Sequence, residues 1–145
     1  MRDKEYSLVV KKLYNYTSNQ AIIKNTTIDL DRIENKYRTG MIQKGVAFDD
    51  IRVSKTNSEY PLEDWLLYHD EEYDRLLNKK LKATDEVKKI DNALEVLNDF
   101  EKKVIELKYF KDKQWIVIGD ILDRSSSHCK NVRNKAINKL KKVLL

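Results

Sequence analysis

A three-four alternation of apolar side chains from Leu62 to Leu97 constrains this chain more than any other feature. Leu62, Leu66, His69, Tyr73, Leu76, Lys80, Ala83, Val87, Ile90, Leu94 and Leu97 recur at that spacing, and nine of the eleven are apolar or aromatic. A seam of this kind belongs to a helix that needs a partner helix. Unbroken, it would be about 54 Å long at 1.5 Å per residue. Pro61 suits its first position, where a missing N–H leaves nothing unpaired. Thr84 offers a second start as an N-cap, which would divide the seam in two.

The partner is available upstream. Tyr6, Val9, Leu13, Tyr16, Ile23, Leu30 and Tyr37 share one helical stripe across residues 4–38, with Asn25-Thr26-Thr27 as a place to break or bend. Residues 39–60 hold Gly40, Gly45, Asp49-Asp50 and the polar run Ser54 to Ser58 without a sustained period, and read as a long connection. The expected architecture is all-α: a long amphipathic helical hairpin followed by a smaller helical bundle. Three glycines and one proline in 145 residues agree with long helices rather than a many-turned sheet. The seam's partner is either the upstream helix of the same chain or a second copy, which would make a homo-oligomer.

Beyond the seam the segments shorten. Asn98-Asp99 starts a helix over Phe100 to Phe110 with Val104, Ile105 and Leu107 as its apolar set. Asp112 to Gln114 is a polar break. Trp115 opens a short helix with Ile118, Ile121 and Leu122 inward. Asp123-Arg124 turns the chain, and Ser125 caps a last helix to about Val143, with Cys129, Val132, Ala136, Leu140 and Val143 on one face. Gly119 inside a helix costs about 1 kcal/mol relative to Ala, which is tolerable where two helices cross closely. A small residue in a short helix, a turn that tolerates positive φ and a capped basic helix make the helix-turn-helix pattern. The expected division is therefore 1–86 for the hairpin, with its loop near 39–60, and 87–145 for a DNA-binding domain.

Charge points the same way. Of 29 Lys and Arg, seven lie between Arg124 and Leu145 (Arg124, Lys130, Arg133, Lys135, Lys139, Lys141 and Lys142), where no acidic residue occurs. Cations near a helix C-terminus suit the helix dipole, which explains Lys139, Lys141 and Lys142 but not an acid-free stretch of this length. Phosphate contact explains all of it. The outward face of the last helix carries Ser127, Lys130, Asn131, Asn134 and Asn138, and Arg124, Ser126 and His128 at its head join the candidate site. Asn pairs with adenine edges, while Arg133, Lys135 and Lys139 flank that face and suit phosphates. These eleven residues form the candidate double-stranded DNA site.

The run from Leu94 to Leu144 resembles region 4 of bacterial sigma-70-type factors at Leu97, Glu101, Val104, Ile105, Leu107, Tyr109, Trp115, Ile118, Gly119, Leu122, Ser125, Ala136 and Leu140. It departs from that pattern at Arg124, where an apolar turn residue is usual, and at His128 and Cys129, where Thr and Val are common. Nothing in residues 1–93 resembles sigma region 2. The whole layout is similar to phage-encoded late-gene transcription regulators of the ArpU/RinA type. The resemblance implies binding of DNA upstream of late genes in a bacterial host cell. RNA polymerase is a second partner that it implies; an adaptor binding the polymerase without reading DNA is the alternative.

Catalysis is not expected. His69 lies on the apolar seam, His128 at the head of the last helix, and Cys129 has a core phase. No HExxH, CxxC, P-loop or GxSxG motif occurs, and the acidic run Asp70-Glu71-Glu72 with Asp74 reads as a solvated helix face. No cofactor or metal is expected. A single cysteine excludes a disulfide framework, and no apolar run of about 18 residues or apolar leader is present. The expectation is a soluble cytoplasmic protein without a membrane partner.

Overall fold

The computed structural model describes residues 3–43, 66 and 70–145, and every regular element among them is helical. The chain is all-α. In order these are α1 (Lys4–Gln43), α2 (Glu71–Leu94), α3 (Asp99–Ile105) running into a π-helical turn (Glu106–Phe110), α4 (Trp115–Leu122) and α5 (Ser126–Leu144). Pro61, Leu62, His69 and the connection over 44–60 lie outside the described residues. Among the described residues, no helix is long and apolar enough to cross a membrane.

α1 outruns the expected 4–38 and passes through Asn25-Thr26-Thr27 without a break. The reason is local. The Thr26 hydroxyl donates to the Ile22 carbonyl at 2.6 Å and the Thr27 hydroxyl to the Ile23 carbonyl at 2.7 Å. Both hydroxyls thus bond back along the helix and do not compete for its backbone, so Thr26 is buried at little cost.

The seam is interrupted at Asp70. Asp70 is non-helical, and its carboxylate accepts the Tyr73 N–H at 2.9 Å, an N-terminal bond that starts α2 at Glu71. Thr84 does not start a new helix: α2 runs through it to Leu94. Tyr73, Leu76, Ala83, Ile90, Leu94 and Leu97 of the seam are buried as the spacing requires.

Two compact units result, one of Met1–Gln20 with Thr84–Leu145, the other of Ala21–Ala83. In the second, Leu30 and Ile33 of α1 pack with Leu66, Tyr73 and Leu76, and the Tyr73 hydroxyl donates to Glu34 at 2.9 Å. In the first, Val9 and Leu13 of α1 share a core with Ile90, Ala93 and Leu97, with Ile105 and Tyr109, and with Ala136, Ile137 and Leu140 of α5. The beginning of the chain is therefore part of the same core as its end.

α3 begins at Asn98, whose side chain accepts the Glu101 N–H at 2.8 Å while the Glu101 carboxylate accepts the Asn98 N–H at 3.0 Å, a reciprocal capping box. The helix then widens: the Lys111 N–H reaches the Glu106 carbonyl, five residues back. That extra residue changes the phase. Tyr109 is buried, Leu107 is only half-buried against expectation, and Phe110 stacks on Tyr16 with ring centroids 4.3 Å apart.

Candidate nucleic-acid interface

α4 is too short to bury two faces. At 100° per residue, Trp115, Ile118, Gly119 and Leu122 fall within about a quarter-turn or so of one another, and Ile121 falls outside that arc. Ile118 and Gly119 are buried and Leu122 half-buried, but Ile121 is 55% exposed, which corrects the inward placement expected for it.

The connection to α5 is closed by two residues. Asp123 adopts the left-handed conformation at φ 55°, and its N–H bonds the Gly119 carbonyl, a C-terminal stop of the kind that a small polar residue tolerates. A Cβ on Gly119 would lie 2.6 Å from the Arg124 carbonyl oxygen. Glycine is required because the turn backbone folds back onto α4. The Ser125 side chain then accepts the His128 N–H at 3.1 Å and starts α5.

Cys129, Ala136, Ile137 and Leu140 fix the inner face of α5. Ile137 joins the core and Val143 is largely exposed, so the buried face is rotated slightly from the expected one. Burial pushes the Cys129 thiol up, outweighing the opposing charge of Arg124, which keeps it an inert core thiol. On the outside, Ser127, Lys130, Asn131, Asn134, Lys135 and Asn138 are all exposed, and Ser126 is half-buried. Ser127, Asn131, Asn134 and Asn138 lie within about 60° of one another around the helix, with lysines on both sides.

Not every candidate cation is equally available. The Lys139 ammonium lies 2.7 Å from the Glu101 carboxylate. Burial raises the proton affinity of Glu101, but the Lys139 and Asn98 hydrogen bonds together outweigh it and hold the carboxyl below its ordinary range. Lys141 bonds Asp3 at 2.8 Å. Arg124 donates to the Asp123 carbonyl, and both Arg124 and His128 lie beside the Phe100 ring.

Arg133 is the most engaged. It sits 4.8 Å from the Trp115 ring centroid and 5.9 Å from that of Tyr6, and donates to the Tyr109 hydroxyl at 3.4 Å. Its Nε donates to Asn134 Oδ1 at 2.7 Å, an oxygen that also accepts from the Tyr6 hydroxyl at 3.4 Å. Beside it opens a cleft of about 410 Å³ that Lys108, Trp115, Lys130 and Arg133 line together with Tyr14 of α1. The sequence does not mark Lys108 or Tyr14. One sits in an ordinary charged run, the other more than a hundred residues from α5, and no local signal joins them. Among the described residues no group of three acidic, Cys or His side chains is placed to hold a metal ion.

The chain is 38% identical over 56 residues to the RNA polymerase sigma-B factor of Bacillus subtilis (strain 168), a match that covers 39% of this chain and 21% of that factor. The chain therefore corresponds to about a fifth of that relative's length. No solved structure matches the chain. A family model described as a protein of unknown function, DUF722, matches residues 26–142, the second part of α1 and everything from α2 to nearly the end of α5, and the chain belongs to that family.

Proposed function

We propose that this chain is a sequence-specific DNA-binding transcription regulator, with α4, the turn at Asp123 and α5 as its helix-turn-helix and α5 as the recognition helix. The observation that carries this reading is the outer face of α5. Ser127, Asn131, Asn134 and Asn138 form an exposed, uncharged, hydrogen-bonding strip flanked by Lys130 and Lys135, on a helix that contains no acidic residue. Amides of this kind read base edges in the major groove, and the flanking ammonium groups hold phosphates. The likeness of a 56-residue stretch to part of a sigma factor supports the same assignment. The chain's layout is similar to that of phage-encoded late-gene regulators of the ArpU/RinA type, which supports a role at late genes in the host cytoplasm. The lack of a catalytic motif supports a role without enzymatic activity.

Binding of the full chain to random and phage-derived duplexes across a salt series is the test. Binding that weakens steeply with salt, and ranks the duplexes differently, is the expected result. Asn131→Ala should flatten that ranking with little change in salt dependence, while Lys135→Ala should weaken every duplex alike. The adaptor alternative has its own observation: Ile116, Val117 and Ile121 leave α4 with an exposed apolar side. If both substitutions leave DNA affinity intact while capture of RNA polymerase is lost, the adaptor replaces the regulator.

A further inference from the structure

We propose that the cleft beside Trp115 seats one phosphodiester of a DNA backbone, with Lys108 as its principal cation. Lys108 comes from the π-helical turn, and Lys130 and Arg133 come from α5, so two separate elements bring three positive charges to one cleft. No carboxylate among the described residues forms an ion pair with any of them. Instead Lys108 and Arg133 both lie against one indole, 5.2 Å and 4.8 Å from its centroid. The ring's negative faces offset part of the repulsion between two like charges, and an anion in the cleft would offset the rest.

Arg133 spends its Nε on Asn134 and one terminal nitrogen on Tyr109. It therefore supplies field and position more than a free fork. Lys108 and Lys130 have no hydrogen-bonding partner among the described residues, which leaves their donors for a ligand oxygen. The chemistry is that of a phosphodiester rather than a free nucleotide, because Lys108 and Arg133 already occupy the Trp115 ring on which a base would stack. Its place also fits, since Lys130 borders the amide strip of α5. This inference rests on the reading of α5 as the DNA-facing helix.

The experiment uses the full chain carrying Trp65→Phe, so that Trp115 is the sole tryptophan and reports from the cleft. In the first arm, duplex affinity is measured across salt for this protein and with Lys108→Gln, Lys108→Arg or Lys82→Gln added. Lys108→Gln should lower the log–log salt slope by about 0.9, one phosphate's worth, and weaken all sequences by the same factor. Lys108→Arg should restore the slope, and Lys82→Gln, the same charge change on α2, should not move it. An unchanged slope in Lys108→Gln, or an equal drop in Lys82→Gln, overturns the seat. In the second arm, inorganic phosphate is titrated without DNA while Trp115 fluorescence is followed. A saturable change that Lys108→Gln weakens supports an anion seat. If phosphate binds this way but no duplex binds, the reading of α5 fails and the DNA source of the phosphate falls with it. If duplexes bind and neither arm responds at Lys108, the seat alone is overturned.

Discussion

Single residues decide how α4 meets α5. A methyl group on Gly119 would lie 2.6 Å from a backbone oxygen, with no flexible side chain to move aside, so Gly119→Ala is expected to cost about 1–3 kcal/mol through overpacking. Urea denaturation of the two proteins measures it, and an unchanged midpoint would show that the turn yields. Glu101 supplies a pH dependence. Its carboxyl sits below the ordinary 4.5 in the folded chain because the Lys139 and Asn98 bonds outweigh burial. The stabilisation is thus complete above that value and is lost as pH falls through the folded one. Unfolding free energy should decline below about pH 4.5, and Glu101→Gln should shallow that decline. Identical pH profiles for the two proteins would exclude Glu101 as a contributor. Gly119, Asp123 and Ser125 were legible in the sequence because capping and left-handed turns are chosen by one or two residues. The placement of Ile121 was not, because an eight-residue helix shows too few turns to reveal which arc is covered.

Elements reveal the same limit from another side. The start of α3 at Asn98 follows from a capping box written into four adjacent residues, and Asn98→Ala should cost about 1 kcal/mol, read by thermal melting. The π-helical turn follows from nothing local. It is fixed by Tyr109 entering a core that α1 and α5 build together, with Phe110 stacking on Tyr16. The unbroken course of α1 through Thr26 and Thr27 was equally hidden, since a threonine hydroxyl serves a helix or competes with it according to its surroundings. The docking of Val9 and Leu13 into the core of α5 has a direct consequence. A fragment of residues 84–145 loses two fully buried side chains, each worth about 1.5–3 kcal/mol. Calorimetry should show it melting well below the full chain, and mixing in a peptide of residues 3–20 should recover part of the loss. A fragment as stable as the intact protein would mean that α1 merely rests on the core.

At the scale of the whole molecule, the all-α class was legible from periodicity alone, which left the seam's partner open between the same chain and a second copy. The meeting of the chain's two ends was not, because Tyr6 and Asn134 stand 128 residues apart. Ile28 and Leu81 remain exposed on α1 and α2, and a concentration-dependent mass above 17.2 kDa is the expected result of light scattering. A constant monomer mass would show that Ile28 and Leu81 are solvated side chains rather than an interface. If α5 reads DNA as proposed, the contact between Tyr6 and Asn134 also bears on any catalogue of target sites. Asn134 has its carbonyl oxygen occupied by two donors and keeps only its NH₂ for a base, whereas Asn131 can both give and accept. An NH₂ alone is satisfied by the major-groove acceptors of adenine, guanine or thymine and refused only by cytosine. Aligned binding sites of this protein should then show one column sharply fixed as adenine and another that admits three letters of the alphabet and omits the fourth. Tyr6→Phe, by releasing one of the two donors, should begin to sharpen the second column.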